Sequence, residues 1–388
     1  MVKFRELTGK EEHKKCKGGI AMISFRSARP EEVGQILDLV NYVFRTLSGL
    51  EPSMGRQFPT LICAENAPDL YVAVDDGRIV AHIGIKKNIV MIYGHKVNVA
   101  NMGAVCTHPD YQGRGIGTSL LHEVFKRLDE EGIGLVIISG ARGLYKRNSC
   151  VKIGGAATFV LEKNKYSAGD AEGMHYYISR DGNGATDLFD IYRWEAVRYQ
   201  RARLEFPVLL KAVPMVPPPV LKLTMVVALT EGKISEKLAY LIGYEENPGM
   251  FKVVEYAGER KAIAWLLERL LNDEGMTQVV LELPTYDRIL TSILNSRGLQ
   301  GILSYYPSTT VRVINRESLW RDIYPIINET WTVDTPPSSL AELPDRVVDD
   351  FAALARFLFA DFNRPSYGEP WDQVFPLPLP WPNGLNYI

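Results

Sequence analysis

Three glycines at alternate positions, Gly113, Gly115 and Gly117, stand among Gln112, Arg114, Ile116 and Thr118. The apolar run Ala104-Val105-Cys106 enters this stretch through Thr107-His108-Pro109-Asp110. A segment with Leu120, Leu121, Val124, Phe125 and Leu128 on one helical face leaves it. The pattern reads as a strand that breaks into a glycine-rich turn at a helix N-terminus, and its chemistry is phosphate binding. First-turn N–H groups have no internal partner and carry the positive end of the helix dipole. Glycine lets phosphate oxygens approach the backbone with no Cβ in the way. Arg114 adds a charge and a planar donor fork. Other reactive groups nearby read as structural. Cys106 and Cys150 are small residues of a kind usually buried, His108 precedes a proline in a turn, and His122 falls on the outer face of the helix.

The surroundings narrow the kind of phosphate. No Gly-Lys-Ser/Thr follows the glycines, so a P-loop is excluded. No acid ~20 residues on closes a second strand, as a dinucleotide fold requires. The 388 residues suggest two or three domains at a prior of ~150 per domain. A net charge of −2 gives no basic field for nucleic acid. Cys16, Cys63, Cys106 and Cys150 are scattered, so neither zinc nor a disulfide framework is expected, and no metal is. No uncharged apolar run approaches the ~18 residues of a membrane span. Residues 1–19 are charged and lack an apolar signal core, so a cytoplasmic protein without membrane contact is expected.

The elements that must position the loop follow from hydrophobic periodicity. Residues 1–20 read as a charged arm. Residues 21–28 read as a strand, and Arg29-Pro30-Glu31-Glu32 opens a helix striped by Val33, Ile36, Leu37, Val40 and Val43. Strands are expected over 70–74, 78–86 and 90–105, with a hairpin turn at Asp75-Asp76-Gly77 and another turn at Tyr93-Gly94-His95. The helix after the loop should run from Arg114 to near Gly132, followed by a buried strand over 134–139, a short helix around 143–148 and a last strand over 157–161. Residues 166–184 read as linker and 188–210 as helix, and Pro214 to Pro219 break the chain. The order strand, helix, strand, helix then returns over 251–295, a degenerate duplication of the first half. Its turn, Ala257-Gly258-Glu259-Arg260, has one glycine and an acid where the first has three glycines, so no nucleotide-like ligand is expected there. A strand over 309–315, a helix over 317–328 and an amphipathic helix over 347–362 follow. The Pro-rich, aromatic end, 375–388, should pack back onto its own chain.

The loop resembles the acyl-CoA motif of the GNAT superfamily of N-acetyltransferases. The match is Val105-x-Thr107-x-Pro109 followed by Gln112-Gly113-Arg114-Gly115-Ile116-Gly117, placed after a fourth strand and before a long helix. The resemblance covers about residues 21–161. It implies an α/β (α+β) fold with a mixed, mostly antiparallel sheet flanked by helices. It also implies acetyl-CoA as cosubstrate, with its pyrophosphate on the N–H groups of Gln112, Gly113, Arg114, Gly115, Ile116, Gly117 and Thr118. Its pantetheine arm would then lie along Val105, Cys106 and Thr107 like an added strand. Gly143-Leu144-Tyr145-Lys146-Arg147-Asn148 is similar to the family's Tyr-x-Lys/Arg-x-Gly-Phe segment, whose tyrosine protonates the departing thiolate. Ser149 and Cys150 replace Gly and Phe, and a match shifted toward Gly154 would put Cys150 in the tyrosine's place. Tyr145 is preferred because it carries the right group, a phenol of ordinary pKa ~10.

One acyl-CoA domain, a degenerate copy and a small C-terminal part resemble the enhanced intracellular survival-like acetyltransferases. The expected limits are 21–165 for the catalytic domain, 166–316 for the degenerate copy and 317–388 for the C-terminal helix and tail, which is shorter than that family's sterol-carrier-like domain. The resemblance implies that the terminal carboxylate, here of Ile388, reaches the site to handle the amine proton. The expected reaction is direct acetyl transfer to an amine of unspecified identity. The competing expectation is a CoA-binding regulatory protein with little catalysis. Assembly as a homo-oligomer stays open.

Overall fold

The computed structural model describes residues 23–388 except 170–172, 215, 219, 221, 231–235, 334, 361 and 362. The charged arm expected over 1–20 lies outside the described residues.

The first sheet begins with β1 (Ser24–Ser27), continues through α1 (Val33–Phe44) and the single turn α2 (Met54–Gln57), and takes up β2 (Leu70–Asp75), β3 (Arg78–Ile92) and β4 (His95–Thr107). Asp76 and Gly77, at φ 44° and 77°, form the tight turn expected between β2 and β3. β3 is one strand of 15 residues where the sequence suggested a break near 87–89. Lys87, Asn88 and Ile89 pair without interruption with Ala100, Val99 and Asn98. The glycine loop leads to α3 (Ile116–Glu130), which starts two residues later than expected, then to β5 (Leu135–Ser139) and α4 (Gly143–Arg147). β4 and β5 run parallel with α3 as the crossover.

The next elements are β6 (Ala156–Glu162), β7 (Met174–Ser179), α5 (Leu188–Tyr192), β8 (Val197–Tyr199) and α6 (Glu205–Ala212). The expected linker over 166–184 therefore contains an edge strand, β7, paired with β9 (Thr224–Thr230). The expected helix over 188–210 is broken by β8, which pairs with β3. Tyr199 is buried there and its hydroxyl accepts from Asn101 Nδ2 at 2.9 Å, a tertiary contact that overrides the local helical pattern. β10 (Lys237–Asn247), β11 (Met250–Gly258), α7 (Arg260–Asn272) and β12 (Gln278–Pro284) repeat the order of β3, β4, α3 and β5, with an antiparallel pair and then a parallel one. The chain ends with α8 (Arg288–Ser296), β13 (Ile302–Ser304), β14 (Thr309–Val313), α9 (Arg316–Thr330), α10 (Asp345–Val348), α11 (Phe351–Phe359) and α12 (Trp371–Val374).

The two sheets exchange strands. The first has the order β1-β2-β3-β4-β5-β14, the second β13-β6-β12-β11-β10-β9-β7. β6 pairs with β12 over seven residues, and β14 pairs with β5 over five. Strand pairing therefore crosses the expected limits at 165/166 and 316/317, with β6 in the second sheet beside its edge strand β13, and β14 at the edge of the first. A period-two pattern fixes which face of a strand is buried but leaves its neighbour unspecified. The C-terminal part is not separate either. Leu319, Ile323, Leu354, Phe357 and Leu358 share one core with Val97, Val99, Leu135 and Ile137 of the first sheet. The expected single helix over 347–362 is two, α10 and α11, divided where Asp350 caps the second by accepting from Ala352 N. The stripe of Val347, Leu354 and Leu358 is core, and the tail packs inward with Phe375, Leu377, Leu379 and Leu385 buried.

Candidate active site

β4 carries the site, and a bulge shapes it. Gly84 faces Gly103 and His82 faces Cys106, so Ala104 and Val105 together oppose Ile83. Ala104, in this bulge, has φ 51°, in the left-handed region. Pairing of β4 with β5 runs from Val99–Leu135 to Met102–Ile138, and β5 ends at Ser139 while β4 continues to Thr107. The two parallel strands therefore part at the bulge, which leaves one edge of residues 104–107 without a β5 partner.

The bulge is held by His82. This side chain is fully buried, and its Nδ1–H donates to the Ala104 carbonyl at 2.9 Å. Its Nε2 is buried with no partner among the described residues. A bare lone pair in an apolar setting is tolerable and an unpaired charge is not, so burial pushes the His82 pKa down to about 4. Folding then favours the neutral ring. This stabilisation is complete above the unfolded pKa of ~6.5 and is lost as pH falls toward 4, a contribution on the order of 3 kcal/mol. The wild-type Tm should fall steeply between pH 6.5 and 4.5. In His82→Asn, which keeps a donor for Ala104 and removes the titration, that segment of the Tm–pH curve should flatten. Equal slopes would show that His82 is not the titrating group.

The glycine loop follows on an exposed face. Gly113 and Gly115 have φ 76° and 78°, and Gly115 is the N-cap of α3. A side chain there would be strained, and glycine removes the strain. Gln112 Nε2 donates to the Thr107 carbonyl at 3.0 Å, and Arg114 lies 5.1 Å over the Tyr111 ring, whose hydroxyl donates to Asp75 Oδ2 at 2.8 Å. Gly117 leaves room for Thr107 Oγ1, which a Cβ would meet at 3.1 Å. Buried Ile116, Leu120, Leu121 and Val124 fix the helix, while Gln112, Gly113, Arg114 and Gly115 stay exposed and Gly117 and Thr118 half-buried. The loop's donors fit a diphosphate, and Asp75, the acid nearest in this hydrogen-bond chain, is turned to Tyr111.

Beside the bulge opens a cavity of about 540 Å³. Ala104, Val105, Ser139, Gly140, Arg142, Tyr145, Tyr387 and Ile388 line it from the first sheet and the tail. Across from them stand Phe44, Arg45, Met54, Gln57 and Phe58 of the α1–α2 region, with Pro214, Val216, Pro217 and Pro218. Tyr145 is buried, with its ring against Gly140, where a Cβ would come within 2.8 Å of Cε2. Burial raises its pKa, so the phenol keeps its proton. Cys106 and Cys150 have thiols that burial pushes up to about 12, which leaves both as poor nucleophiles. His108 has Arg78 3.0 Å from Nε2 and stacks on Tyr42, and exposed His122 contacts Asn148, so both have the structural and surface places expected.

Residues 385–388 are clamped into this cavity. Arg201 and Glu255 form a buried two-pronged pair with both N–O distances 2.7 Å. Burial works to raise the Glu255 pKa, but the adjacent Arg201 charge and its hydrogen bonds hold the carboxyl below its usual range. The pair grips the tail twice. Leu385 N donates to Glu255 Oε2 at 3.0 Å, and Arg201 Nε donates to Asn386 Oδ1 at 2.5 Å. Ile388 then lies on Gly103, where an added Cβ would fall 2.4 Å from the Ile388 carbonyl carbon. Only glycine at 103 admits this contact. The structure thus brings Val105, Tyr145 and Ile388 to one cavity, and sets the 112–118 loop at the outer end of the same strand.

The duplicate turn in the second half is filled by the chain itself. Glu195 accepts from Gly258 N at 2.8 Å and from both terminal nitrogens of Arg260 at 2.7 Å, and Asp287 stands 2.9 Å from Arg260 Nε. A carboxylate occupies the place that a phosphate would take at the equivalent turn. The expected obstacle was Glu259, which stands at the N-cap position of α7 without a side-chain capping hydrogen bond.

Arg45, Gln57, His82, Tyr387 and the Arg201–Glu255 pair were not anticipated. Tyr387 could have been found from its position next to Ile388. The others are joined across gaps of up to 185 residues that no local pattern bridges.

Comparisons with known proteins agree with this geometry. Residues 24–149 match the acetyltransferase (GNAT) domain family. Several solved structures share the fold. A probable N-acyltransferase from Enterococcus faecalis V583 is 15% identical with TM-score 0.60, over 78% of this chain and 75% of that one. A GCN5-related N-acetyltransferase from Anabaena variabilis is 14% identical with TM-score 0.58, over 76% and 73%. Eis1 from Mycobacterium abscessus is 14% identical with TM-score 0.56, over 76% and 75%. No protein of curated function matches the sequence. The chain carries a GNAT acetyltransferase domain and is an acyltransferase, a protein that moves an acyl group from acyl-CoA to an acceptor. Among the described residues no helix is long and apolar enough to cross a membrane, and no group of three or more His, Cys, Asp or Glu could hold a metal ion.

Proposed function

We propose that this protein transfers the acetyl group of acetyl-CoA directly to an amine within a ternary complex. The observation that carries the reading is the parting of β4 from β5 at the Ala104 bulge. A phosphate-accepting loop lies at the outer end of the exposed edge, and a cavity with a buried phenol lies beside the bulge.

Each group has one task. The 112–118 backbone holds the pyrophosphate, with Arg114 beside it. The free edge of Val105, Cys106 and Thr107 aligns the pantetheine arm by strand-like hydrogen bonds. A backbone N–H of that edge polarises the thioester carbonyl as the neutral amine attacks. The C–S bond breaks as the new C–N bond forms. Tyr145 gives its proton to the departing sulfur, and burial keeps that proton available above neutral pH. Where the chain terminates at Ile388, its carboxylate stands in the cavity to take the proton released by the amine. Cys106 and Cys150, as neutral thiols, take no covalent part.

Calorimetry with acetyl-CoA, followed by free-thiol release over a panel of amines, tests the reading. We expect one acetyl-CoA per chain, because Glu195 closes the second turn, and amine-dependent release of CoA. Binding without turnover across the panel would favour a CoA-binding regulatory protein. Two acetyl-CoA per chain would show that Glu195 yields its place.

A further inference from the structure

The acceptor side of the cavity has a one-sided charge pattern. Two guanidiniums, Arg45 and Arg142, line it, and among the described residues no Asp or Glu does. Arg45 is half-buried at the end of α1 and is held entirely by neutral acceptors. Its Nε donates to Ser53 Oγ at 2.7 Å, one terminal nitrogen to the Phe44 carbonyl at 2.9 Å and the other to Gln57 Oε1 at 2.6 Å. Gln57 is itself anchored, its Nε2 donating to the Val216 carbonyl at 2.9 Å. A guanidinium has five N–H donors, so each terminal nitrogen of Arg45 has one to spare. Arg142 is exposed, 5.9 Å over the Phe44 ring. Among the described residues neither has a carboxylate partner, and burial disfavours the Arg45 charge. A half-buried cation without a counter-ion is costly unless something else supplies one. The walls between are apolar, with Met54, Phe58 and Val216.

We propose that the acceptor is an amine that also carries a carboxylate, set on a small apolar body, so that its oxyanion meets Arg45 and Arg142 while its nitrogen points to Tyr145 and Ile388. This rests on the acetyl-transfer reading above. The free donors of Arg45 match a carboxylate two-pronged. The apolar walls take the side chain, and, in a chain that terminates at Ile388, its carboxylate faces the amine end. A polyamine or an aminoglycoside would bring several positive charges to two guanidiniums with no acid between them.

Matched pairs test this. Initial rates with acetyl-CoA are measured for phenylalanine against phenylalaninamide and leucine against leucinamide, with spermine and kanamycin as polycations. In parallel, calorimetry on the CoA-loaded protein compares N-acetylphenylalanine with its amide. We expect kcat/KM and affinity to favour the carboxylate by about tenfold or more, as one lost charge-assisted contact implies. The preference should shrink toward one in Arg45→Gln and in the exposed-site variant Arg142→Gln, and the polycations should be the poorest acceptors. Equal or reversed preference, or a preference untouched by both variants, overturns the proposal and leaves acetyl transfer standing. A calorimetric preference for the anion with no turnover of any amine overturns acetyl transfer and leaves the anion site. Turnover of the polycations above the amino acids also overturns it.

Discussion

Replacing Tyr145 by Phe should lower kcat by about 10²- to 10⁴-fold, the range lost with a positioned general acid, and leave acetyl-CoA affinity unchanged. The ring still fills the space beside Gly140, so the cavity and the strand edge keep their shape. What disappears is the proton that the proposed mechanism gives to the departing sulfur. Calorimetry for binding and single-turnover kinetics for chemistry separate the two effects. The pH dependence has a definite sign. Tyr145 must be protonated to act, and burial raises its pKa, so its proton stays bound to higher pH than an ordinary phenol's, ~10. The wild-type rate should therefore rise as the amine loses its proton and then hold a plateau, with no alkaline fall below ~pH 10 assignable to this residue. A wild-type rate in Tyr145→Phe would remove it from the mechanism and reopen the role of Cys150.

The second large effect belongs to Ile388, in a chain that terminates there. Adding two glycines after Ile388 should cut kcat by about 10²-fold or more with acetyl-CoA still bound at the loop. Two causes are mixed in that variant. The extension turns the terminal carboxylate into a neutral amide, and it forces new backbone into a contact so close that Gly103 has no room for a methyl group. Amidating Ile388 by semisynthesis separates them, since it removes the charge and adds no bulk. An equal loss on amidation assigns proton handling to the carboxylate. Full turnover of the amidated protein would show that Ile388 only shapes the cavity, and the base would then be sought among water and the remaining lining groups.

The turn and helix start of the loop were readable because their pattern is local. Alternating glycines, a preceding apolar strand and a following amphipathic helix all fall within 25 residues, and each has a direct physical meaning. Tyr145 was readable for the same reason, since it closes the next strand–helix unit. The repeat of strand and helix order in the second half was also visible from periodicity, down to the stripe of Ile263, Leu266, Leu267, Leu270 and Leu271, all of them buried. Illegible were the features made by partners distant in sequence. Glu195 reaches a turn 63 residues away, Arg201 grips Asn386 185 residues on, and β14 finds β5 across the whole second half. No propensity of Glu195 or Arg201 distinguishes them from surface residues. Only the fold makes one a stand-in for phosphate and the other an anchor for the tail. β8 failed for a related reason: three residues carry too little pattern to outweigh the helical spacing around them.

The crossing of β6 and β14 has a consequence for what the gene can lose. A half of the chain with no site of its own could in principle be deleted. Here a deletion of the second half would strip β5 of its outer neighbour, expose the apolar face that α9 and α11 cover, and remove both the clamp and the terminus that Gly103 receives. The matched segment 24–149 would be left with an open edge at its own active site. The second half thus serves the first as scaffolding, whatever it binds itself.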